Sequence, residues 1–352
     1  MSTSAVDQLT QTAAARRIPL YGTLELTWRC NFRCVHCYQD GLRDRHRELS
    51  TSEWMALMDE LADLGCTFLV LTGGEAMVRK DFAQLYRHAA ERGFVVTVFS
   101  NGSMIGDDIL ALWATLPPRK VEITLYGMSA ETYQAVTGQP DGFAQAMSAL
   151  DRLLELGIRV ELKAPAMRPL LKDLPAMALL ARSRGVDFRM DPGLFPRLDG
   201  NRSPLAHRLS PAEVVALEAK SPGFTESIDA CFAEVPLGDR VYRCGAGSNA
   251  FNIDPSGHFE ACAISRATSL DWRELGAVEA WAGLAQEAAT VHRSAAPLRG
   301  GPGAVDDCGA CGARGGCSRC PGKSWLEAGA IQRPVPHYCE VTSTKLALKG
   351  VA

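Results

Sequence analysis

The sequence has no long hydrophobic run. No segment reaches the roughly 18 uninterrupted apolar residues that a membrane-spanning helix needs, and the N-terminus contains no apolar core of signal-peptide length. Charge of one sign is also scarce, because 37 Lys and Arg residues nearly balance 40 Asp and Glu residues. That balance gives no reason to expect nucleic acid or an anionic membrane as a partner. We therefore expect a soluble, cytoplasmic protein.

Cysteine, in contrast, is abundant and clustered. Three of the 12 cysteines lie near the N-terminus, seven lie between Cys244 and Cys339, and only Cys66 and Cys231 stand apart. Thiols stay reduced in the cytoplasm, and a chain of 352 residues can build a hydrophobic core that needs no disulfide framework. The cysteine spacing therefore points to metal binding or catalysis.

Short apolar runs alternate with amphipathic helical patterns in the first half of the chain. The predicted strands are 22–27, 67–72, 94–100, 121–126, 159–164 and 186–191. The predicted helices are 50–64, 81–92, 107–116, 143–156 and 174–184. Such alternation predicts an α/β fold of parallel strands with right-handed crossovers. Six such units make a partial (β/α)6 TIM-type barrel or, alternatively, a strongly curved open sheet. Functional loops are expected at the carboxyl ends of its strands.

A change of composition near residue 191 predicts further parts of the chain. The region from 241 onwards is rich in glycine and cysteine, so we expect it to build little apolar core and to depend on metal for its folding. The predicted parts are an N-terminal extension (1–19), the barrel (20–191), a bridge (192–240), a loop-rich cysteine-rich domain (241–345) and a tail (346–352).

Cys30, Cys34 and Cys37 follow the first predicted strand and form a three-cysteine motif without a nearby fourth. A structural zinc site needs four ligands, whereas three thiolates suit a metal centre that keeps one position open. This motif resembles the signature of the radical S-adenosylmethionine (radical SAM) enzymes, in which three thiolates hold a [4Fe–4S] cluster and SAM binds the fourth iron. The alternative is a zinc loop that recruits His36 as the fourth ligand.

The loops after the next strands carry further resemblances to that family. Gly73, Gly74 and Glu75 match the motif that binds the SAM amino group, where glycine allows close approach and a carboxylate accepts from an ammonium. His36 lies where the family has a residue that packs on adenine. The resemblance also implies SAM contacts from Ser100, Asn101, Thr124 and Lys163. Alternatively, the first three are strand-end caps and Lys163 is an exposed lysine. Thr137 stands where several relatives have an arginine that clamps the SAM carboxylate.

The C-terminal cysteines resemble the SPASM domain, which holds two auxiliary [4Fe–4S] clusters. The implied ligands of the distal cluster are Cys308, Cys311, Cys317 and Cys339. Those of the proximal cluster are Cys244, Cys262 and Cys320, with Cys231 as a fourth ligand or with one iron left open. A four-cysteine zinc ribbon between Cys308 and Cys320 is the alternative.

The two resemblances together imply an oxidoreductase that cleaves SAM reductively and modifies a ribosomally synthesised precursor peptide, for example by a crosslink. They also imply a flavodoxin- or ferredoxin-type electron donor. Because the predicted barrel begins by Leu20, with no room for a leader-binding domain before it, we expect a separate leader-recognition protein or direct leader binding. The alternatives are a SPASM dehydrogenase that acts on a protein side chain or small molecule, and a non-catalytic Fe–S or zinc scaffold.

Overall fold

The computed structural model describes residues 4–39, 47–220, 224, 244–266, 268–294, 311, 317, 320–331 and 333–349. Its helices are α1 (Ala5–Arg16), α2 (Thr51–Asp63), α3 (Phe82–Glu91), α4 (Asp107–Thr115), α5 (Ala130–Thr137), α6 (Gly142–Glu155), α7 (Leu174–Ser183), α8 (Pro211–Glu218), α9 (Trp272–Ser294, interrupted at Gly276), α10 (Pro321–Ala328) and α11 (Pro336–Lys349). Its strands are β1 (Tyr21–Glu25), β2 (Phe68–Thr72), β3 (Val95–Ser100), β4 (Lys120–Thr124), β5 (Val160–Pro165), β6 (Asp187–Asp191), β7 (Ala250–Ile253), β8 (His258–Glu260) and β9 (Leu270–Asp271). Among the described residues, no helix is long and apolar enough to cross a membrane.

The six parallel strands predicted from the sequence are confirmed. Strands β1 to β6 pair in chain order, and helices connect them. The predicted start of α2 is also confirmed, because the Ser50 side chain accepts from the backbone N–H of Glu53 and the Glu53 carboxylate accepts from the backbone N–H of Ser50. Helix α5, for which Ser129 supplies the N-cap, was not predicted.

The two faces of the parallel strands differ in chemistry, because successive side chains point to opposite sides. One face packs against the helices and forms the hydrophobic core, with residues such as Leu71, Val98 and Ile123. The other, called here the inner face, carries Phe99 on β3, Glu122 and Thr124 on β4, Lys163 on β5 and Arg189 on β6.

The prediction that the cysteine-rich region builds little apolar core is wrong for its first half. Strand β7 pairs in parallel with β1, and β8 and β9 extend the same sheet in antiparallel fashion. Phe251 on β7 stacks on Phe259 with ring centroids 5.4 Å apart, and its ring centroid lies 5.9 Å from that of Trp281. All three side chains belong to the core of the barrel. Apolar packing across β1 therefore supplies folding energy that the sequence analysis assigned to metal.

This shared core predicts the effect of Phe251→Ala. Truncating a buried aromatic side chain costs about 3–5 kcal/mol, and the loss should lower the free energy of unfolding of the barrel itself. Urea unfolding of the reconstituted protein, followed by circular dichroism, measures it. The control is Leu179→Ala on α7, where a 63% exposed side chain should change stability by less than about 0.5 kcal/mol. The shared core would be contradicted if Phe251→Ala shifted only a separate minor unfolding transition and left the free energy of unfolding of the barrel unchanged.

Candidate active site

The loop after β1, which contains the three N-terminal cysteines, lies against the loop after β2. The backbone N–H of Gly74 donates to the carbonyl oxygen of Thr27 (2.8 Å), and that of Glu75 donates to the carbonyl oxygen of Arg29 (2.9 Å). A Cβ atom on Gly73 would lie 2.6 Å from the Thr27 oxygen, and one on Gly74 would lie 2.3 Å from the Arg29 oxygen. Glycine is therefore required at both positions by the close approach of two backbones.

The far side of the cysteine loop rests on the end of α5. The backbone N–H of Arg33 donates to the carbonyl oxygen of Thr137 (2.8 Å), and that of Val35 donates to the carbonyl oxygen of Val136 (2.9 Å). The Thr137 side chain is fully buried, and its hydroxyl donates to the Tyr133 carbonyl oxygen (2.7 Å). Thr137 thus supports the cysteine loop through its backbone carbonyl group.

Three thiols and the partly buried Tyr126 ring belong to one packed cluster at this site. Burial holds the pKa of Tyr126 well above its usual value, and the nearby Cys34, Cys30 and Cys37 raise it further. Burial also raises the pKa of Cys30 to about 11, although a hydrogen bond from the Asn101 side chain acts to lower it. Among the described residues, no three Cys, His, Asp or Glu side chains are placed to hold a single metal ion. Three thiols beside one ring suit a cluster in which each thiolate binds a different iron.

The Glu75 carboxylate joins the loops after β2 and β3. It accepts from the backbone N–H of Asn101 (2.8 Å) and from the Ser100 hydroxyl (3.1 Å), and it is almost completely buried. Burial raises its pKa to about 7, although these hydrogen bonds oppose the shift. The Asn101 amide also donates to Asn31 in the cysteine loop (3.0 Å), a residue that the sequence analysis did not single out. Ser100, Asn101 and Glu75 therefore lie together, as predicted from their strand ends.

His36 has an unsatisfied polar atom. Its Nδ1 is buried without a hydrogen-bond partner, and its ring centroid lies 5.6 Å from that of Tyr126. Burial lowers the pKa of His36 to about 4, so the ring is neutral near pH 7. A neutral ring with an unused nitrogen beside the thiols fits the predicted contact with adenine.

Lys163 lies on the inner face, beside Thr124 in the parallel register of β4 and β5. Its Nζ lies 3.4 Å from the Glu122 carboxylate and 3.4 Å from the centroid of the Phe99 ring. The side chain is only 20% exposed, so Lys163 is not an exposed lysine at a strand end. Burial lowers its pKa to about 8, although Glu122 opposes the shift. Arg189 also pairs with Glu122 (3.1 Å), so the inner face carries an ion network.

An ion cluster that the sequence analysis missed connects the cysteine loop to the C-terminal half. Arg266 pairs with the buried Glu25 at the end of β1 (2.7 Å), and its guanidinium lies 5.0 Å from the centroid of the Trp28 ring. The Glu25 carboxylate also accepts from the Tyr38 hydroxyl (3.3 Å) and the Gln39 amide (2.6 Å). Burial holds the pKa of Tyr38 well above its usual value, and Glu25, Cys37 and Cys262 raise it further. Tyr38 therefore lies near one cysteine from each half of the chain.

The three cysteines predicted for the proximal auxiliary cluster lie near one another. Burial raises the pKa of Cys262 to about 11, and Cys244 and Cys320 are close enough to raise it further. Among the cysteines predicted for the distal cluster, Cys311 is exposed, whereas Cys317 and Cys339 are partly buried. Two cysteines lie outside the described residues, Cys231 and Cys308.

The glycine cradle predicts the effect of Gly74→Ala. The new methyl group overlaps the Arg29 carbonyl, so the cysteine loop must shift, and a displacement of about 1 Å costs on the order of a hundredfold in rate. The rate of 5′-deoxyadenosine release from SAM, measured after reconstitution with iron and sulfide, checks this. The control is Gly106→Ala, whose Cβ would meet only the flexible end of Asp108 at 3.0 Å. Equal rates for both variants would contradict the steric role of Gly74.

Comparisons with known proteins agree with this geometry. Residues 24–170 match the model of the radical SAM superfamily. The chain is 31% identical to the mycofactocin maturase MftC of Mycobacterium ulcerans over 255 residues, which cover 69% of this chain and 68% of the relative. It is 30% identical to the PqqA peptide cyclase of Rhodopseudomonas palustris over 267 residues, which cover 72% of this chain and 70% of that relative.

A solved structure shares the fold over nearly the whole chain. The structure of anSMEcpe with bound AdoMet and the Kp18Cys peptide superposes with a TM-score of 0.67 at 12% identity, and the match covers 93% of this chain and 96% of that one. One conclusion follows from the family-model match, from the identity to MftC over two thirds of its length, and from the three-cysteine loop beside the Gly-Gly-Glu loop. The chain belongs to the radical SAM superfamily.

Proposed function

We propose that the protein is a radical SAM enzyme that abstracts hydrogen from a ribosomally synthesised precursor peptide and installs a crosslink or a related oxidation. Its main support is the convergence of the loops after β1, β2 and β3, which Glu75 joins by buried hydrogen bonds. Cys30, Cys34 and Cys37 would hold the [4Fe–4S] cluster. When bound, the cluster and SAM supply a 5′-deoxyadenosyl radical, and the protein's task is to hold a C–H bond beside it and exclude water.

The protein groups around SAM would have distinct binding tasks. The Glu75 carboxylate and the Gly73–Gly74 backbone would accept from its amino group, and His36 would pack on its adenine. Ser100 and Asn101 at the end of β3, together with Thr124 and Lys163 on the inner face, would bind the remaining groups of SAM. Lys163 is suited to a carboxylate, because Glu122 and the Phe99 ring position its ammonium group.

A peptide substrate is supported by the relatives and by the inner face. The two relatives described above are named as a maturase and a peptide cyclase, and anSMEcpe binds a peptide in its solved structure. On the inner face, the guanidinium of Arg189 is half exposed although it pairs with Glu122 and Glu161. Such charged groups can bind the polar backbone and side chains of a peptide.

The candidate precursor for testing the peptide proposal is any short peptide encoded beside the gene. We expect the reconstituted enzyme, supplied with SAM and a reductant, to remove two hydrogen atoms from a full-length precursor. The corresponding core peptide without its leader should react at least about tenfold more slowly, because the leader contributes binding energy to the reacting complex. Mass spectrometry measures the loss of two hydrogen atoms from each peptide and the rate at which it occurs. Efficient turnover of a leaderless peptide or a free metabolite would instead support a SPASM dehydrogenase that acts on a protein side chain or small molecule.

We also propose that the C-terminal cysteines hold two auxiliary [4Fe–4S] clusters. The proximity of Cys244, Cys262 and Cys320 supports the proximal one. With three ligands near one another, we infer that one of its irons is open to substrate or is bound by Cys231. These clusters would accept the electron that a net oxidation of the peptide releases.

Iron counting after anaerobic reconstitution tests the auxiliary clusters. We expect about twelve irons per chain, as three four-iron clusters require. Cys262→Ala should lower the count by about four, because the proximal cluster loses one of three neighbouring ligands. Cys66→Ala is the matched control, because Cys66 is buried in the barrel core and should not alter the count. A wild-type count of about four, unchanged in Cys262→Ala, would contradict both auxiliary clusters.

A further inference from the structure

A closed ring of three side-chain hydrogen bonds joins the cysteine loop to the loop after β3. The Asn101 amide donates to Asn31 Oδ1 (3.0 Å), the Asn31 amide donates to the Ser103 hydroxyl (2.7 Å), and that hydroxyl donates to Asn101 Oδ1 (2.6 Å). Asn31 directly follows Cys30 in the chain, whereas Asn101 and Ser103 follow β3. We call this arrangement the asparagine ring.

A backbone group fixes the orientation of the Asn101 amide. Its Oδ1 also accepts from the backbone N–H of Ser103 (2.9 Å). A backbone N–H can only donate, so Oδ1 must face Ser103 and the amide nitrogen must face the cysteine loop. Gly102 permits this turn, because its φ is +80° and a Cβ atom there would lie 3.2 Å from the Ala146 Cα atom.

The nitrogen of the Asn101 amide serves two acceptors in the cysteine loop. One of its N–H groups donates to Asn31, and the side chain also donates to the sulfur of Cys30. The backbone N–H of Phe32 donates to the same sulfur (3.4 Å). Cys30 therefore accepts two N–H···S hydrogen bonds, one of which comes from the end of a different strand. Because both N–H groups of the amide are in use, a contact between Asn101 and SAM would not involve them.

We propose that Asn101 raises the reduction potential of the [4Fe–4S] cluster held by the cysteine loop, through its hydrogen bond to the sulfur of Cys30, and that the asparagine ring orients this donor. The inference rests on the proposed radical SAM function, which needs that cluster. Asn101 acts here as a positioning residue, because it reaches the cluster through a ligand.

The direction of the effect follows from electrostatics. An N–H···S hydrogen bond draws negative charge away from the thiolate. One-electron reduction makes the cluster more negative, so the donor stabilises the reduced state more than the oxidised state and the potential rises. In this step the reductant loses one electron and the cluster gains it. The Asn101 side chain is almost completely buried, so little water screens its dipole.

Redox titration of the reconstituted enzyme, followed by EPR in the absence of SAM, tests this proposal. The signal of the predicted SAM-binding cluster is identified by its change when SAM is added to a matching sample. N101L keeps the size of the side chain but has no donor. We expect it to lower the ratio of reduced to oxidised cluster at a fixed potential about tenfold, a shift of about 59 mV in midpoint potential for a one-electron couple. Because SAM is absent, a lost contact between Asn101 and SAM does not contribute to the shift.

The matched control is S103A. It removes the hydroxyl from the asparagine ring but keeps the backbone N–H that orients the Asn101 amide. The donor to Cys30 should therefore remain in place, and the ratio of reduced to oxidised cluster should change less than about twofold.

A second measurement on the wild-type protein keeps the test decisive if N101L holds no cluster. Asparagine that carries ¹⁵N only in its side-chain amide is incorporated, and pulsed EPR of the reduced cluster should detect a ¹⁵N coupling through the N–H···S bond. The Asn31 amide does not supply this coupling, because it donates to Ser103 instead of to a sulfur.

Each outcome bears on a different claim. An unchanged potential in N101L, or a wild-type spectrum without the ¹⁵N coupling, would overturn the proposal. Equal shifts in N101L and S103A would overturn it in favour of a general displacement of the two loops. A wild-type protein with no EPR signal that responds to SAM would overturn the proposed function itself.

Discussion

The close backbone contact between the cysteine loop and the Gly-Gly-Glu loop determines the rest of the site. Gly74 places its backbone against the carbonyl group of Arg29, where no Cβ atom fits, and the hydrogen bonds beyond β1 and β2 extend the parallel ladder into both loops. The cysteine loop is thereby fixed relative to Glu75, whose buried carboxylate in turn fixes Asn101. Three loops from separate strands thus form one site at the carboxyl edge of the sheet.

The second constraint is the continuity between the two halves of the chain. Strand β7 pairs with β1, so the region that carries the C-terminal cysteines shares a sheet and a core with the barrel. Arg266 reinforces this connection, because its guanidinium pairs with Glu25 and lies over the Trp28 ring, both next to the cysteine loop. Removing one partner of such a buried pair leaves an uncompensated charge. The geometry of the first cysteine site is therefore coupled to that of the region around Cys262.

The sequence alone predicted what depends on local pattern. Strand–helix alternation predicted β1 to β6, and because the strands are parallel, the residues that follow them were correctly expected to meet at one edge. The features that it missed depend on contacts between distant segments. The pairing of β7 with β1 and the Arg266–Glu25 ion pair leave no periodic signal in either segment, and the glycine-rich composition around β7 suggested the opposite. Asn31 was missed for the same reason, because only the fold shows that it contacts Asn101.

These constraints all serve the site at which we propose that three thiolates hold a cluster for the cleavage of SAM. The most direct test is to reconstitute the protein anaerobically, add SAM and dithionite, and quantify 5′-deoxyadenosine for the wild type and for Cys34→Ala. Our account predicts 5′-deoxyadenosine and methionine in equal amounts from the wild type and none from Cys34→Ala, which lacks one of the three thiolates. A wild-type protein that binds about one zinc per chain, as a closed four-ligand site would, and releases no 5′-deoxyadenosine would contradict it.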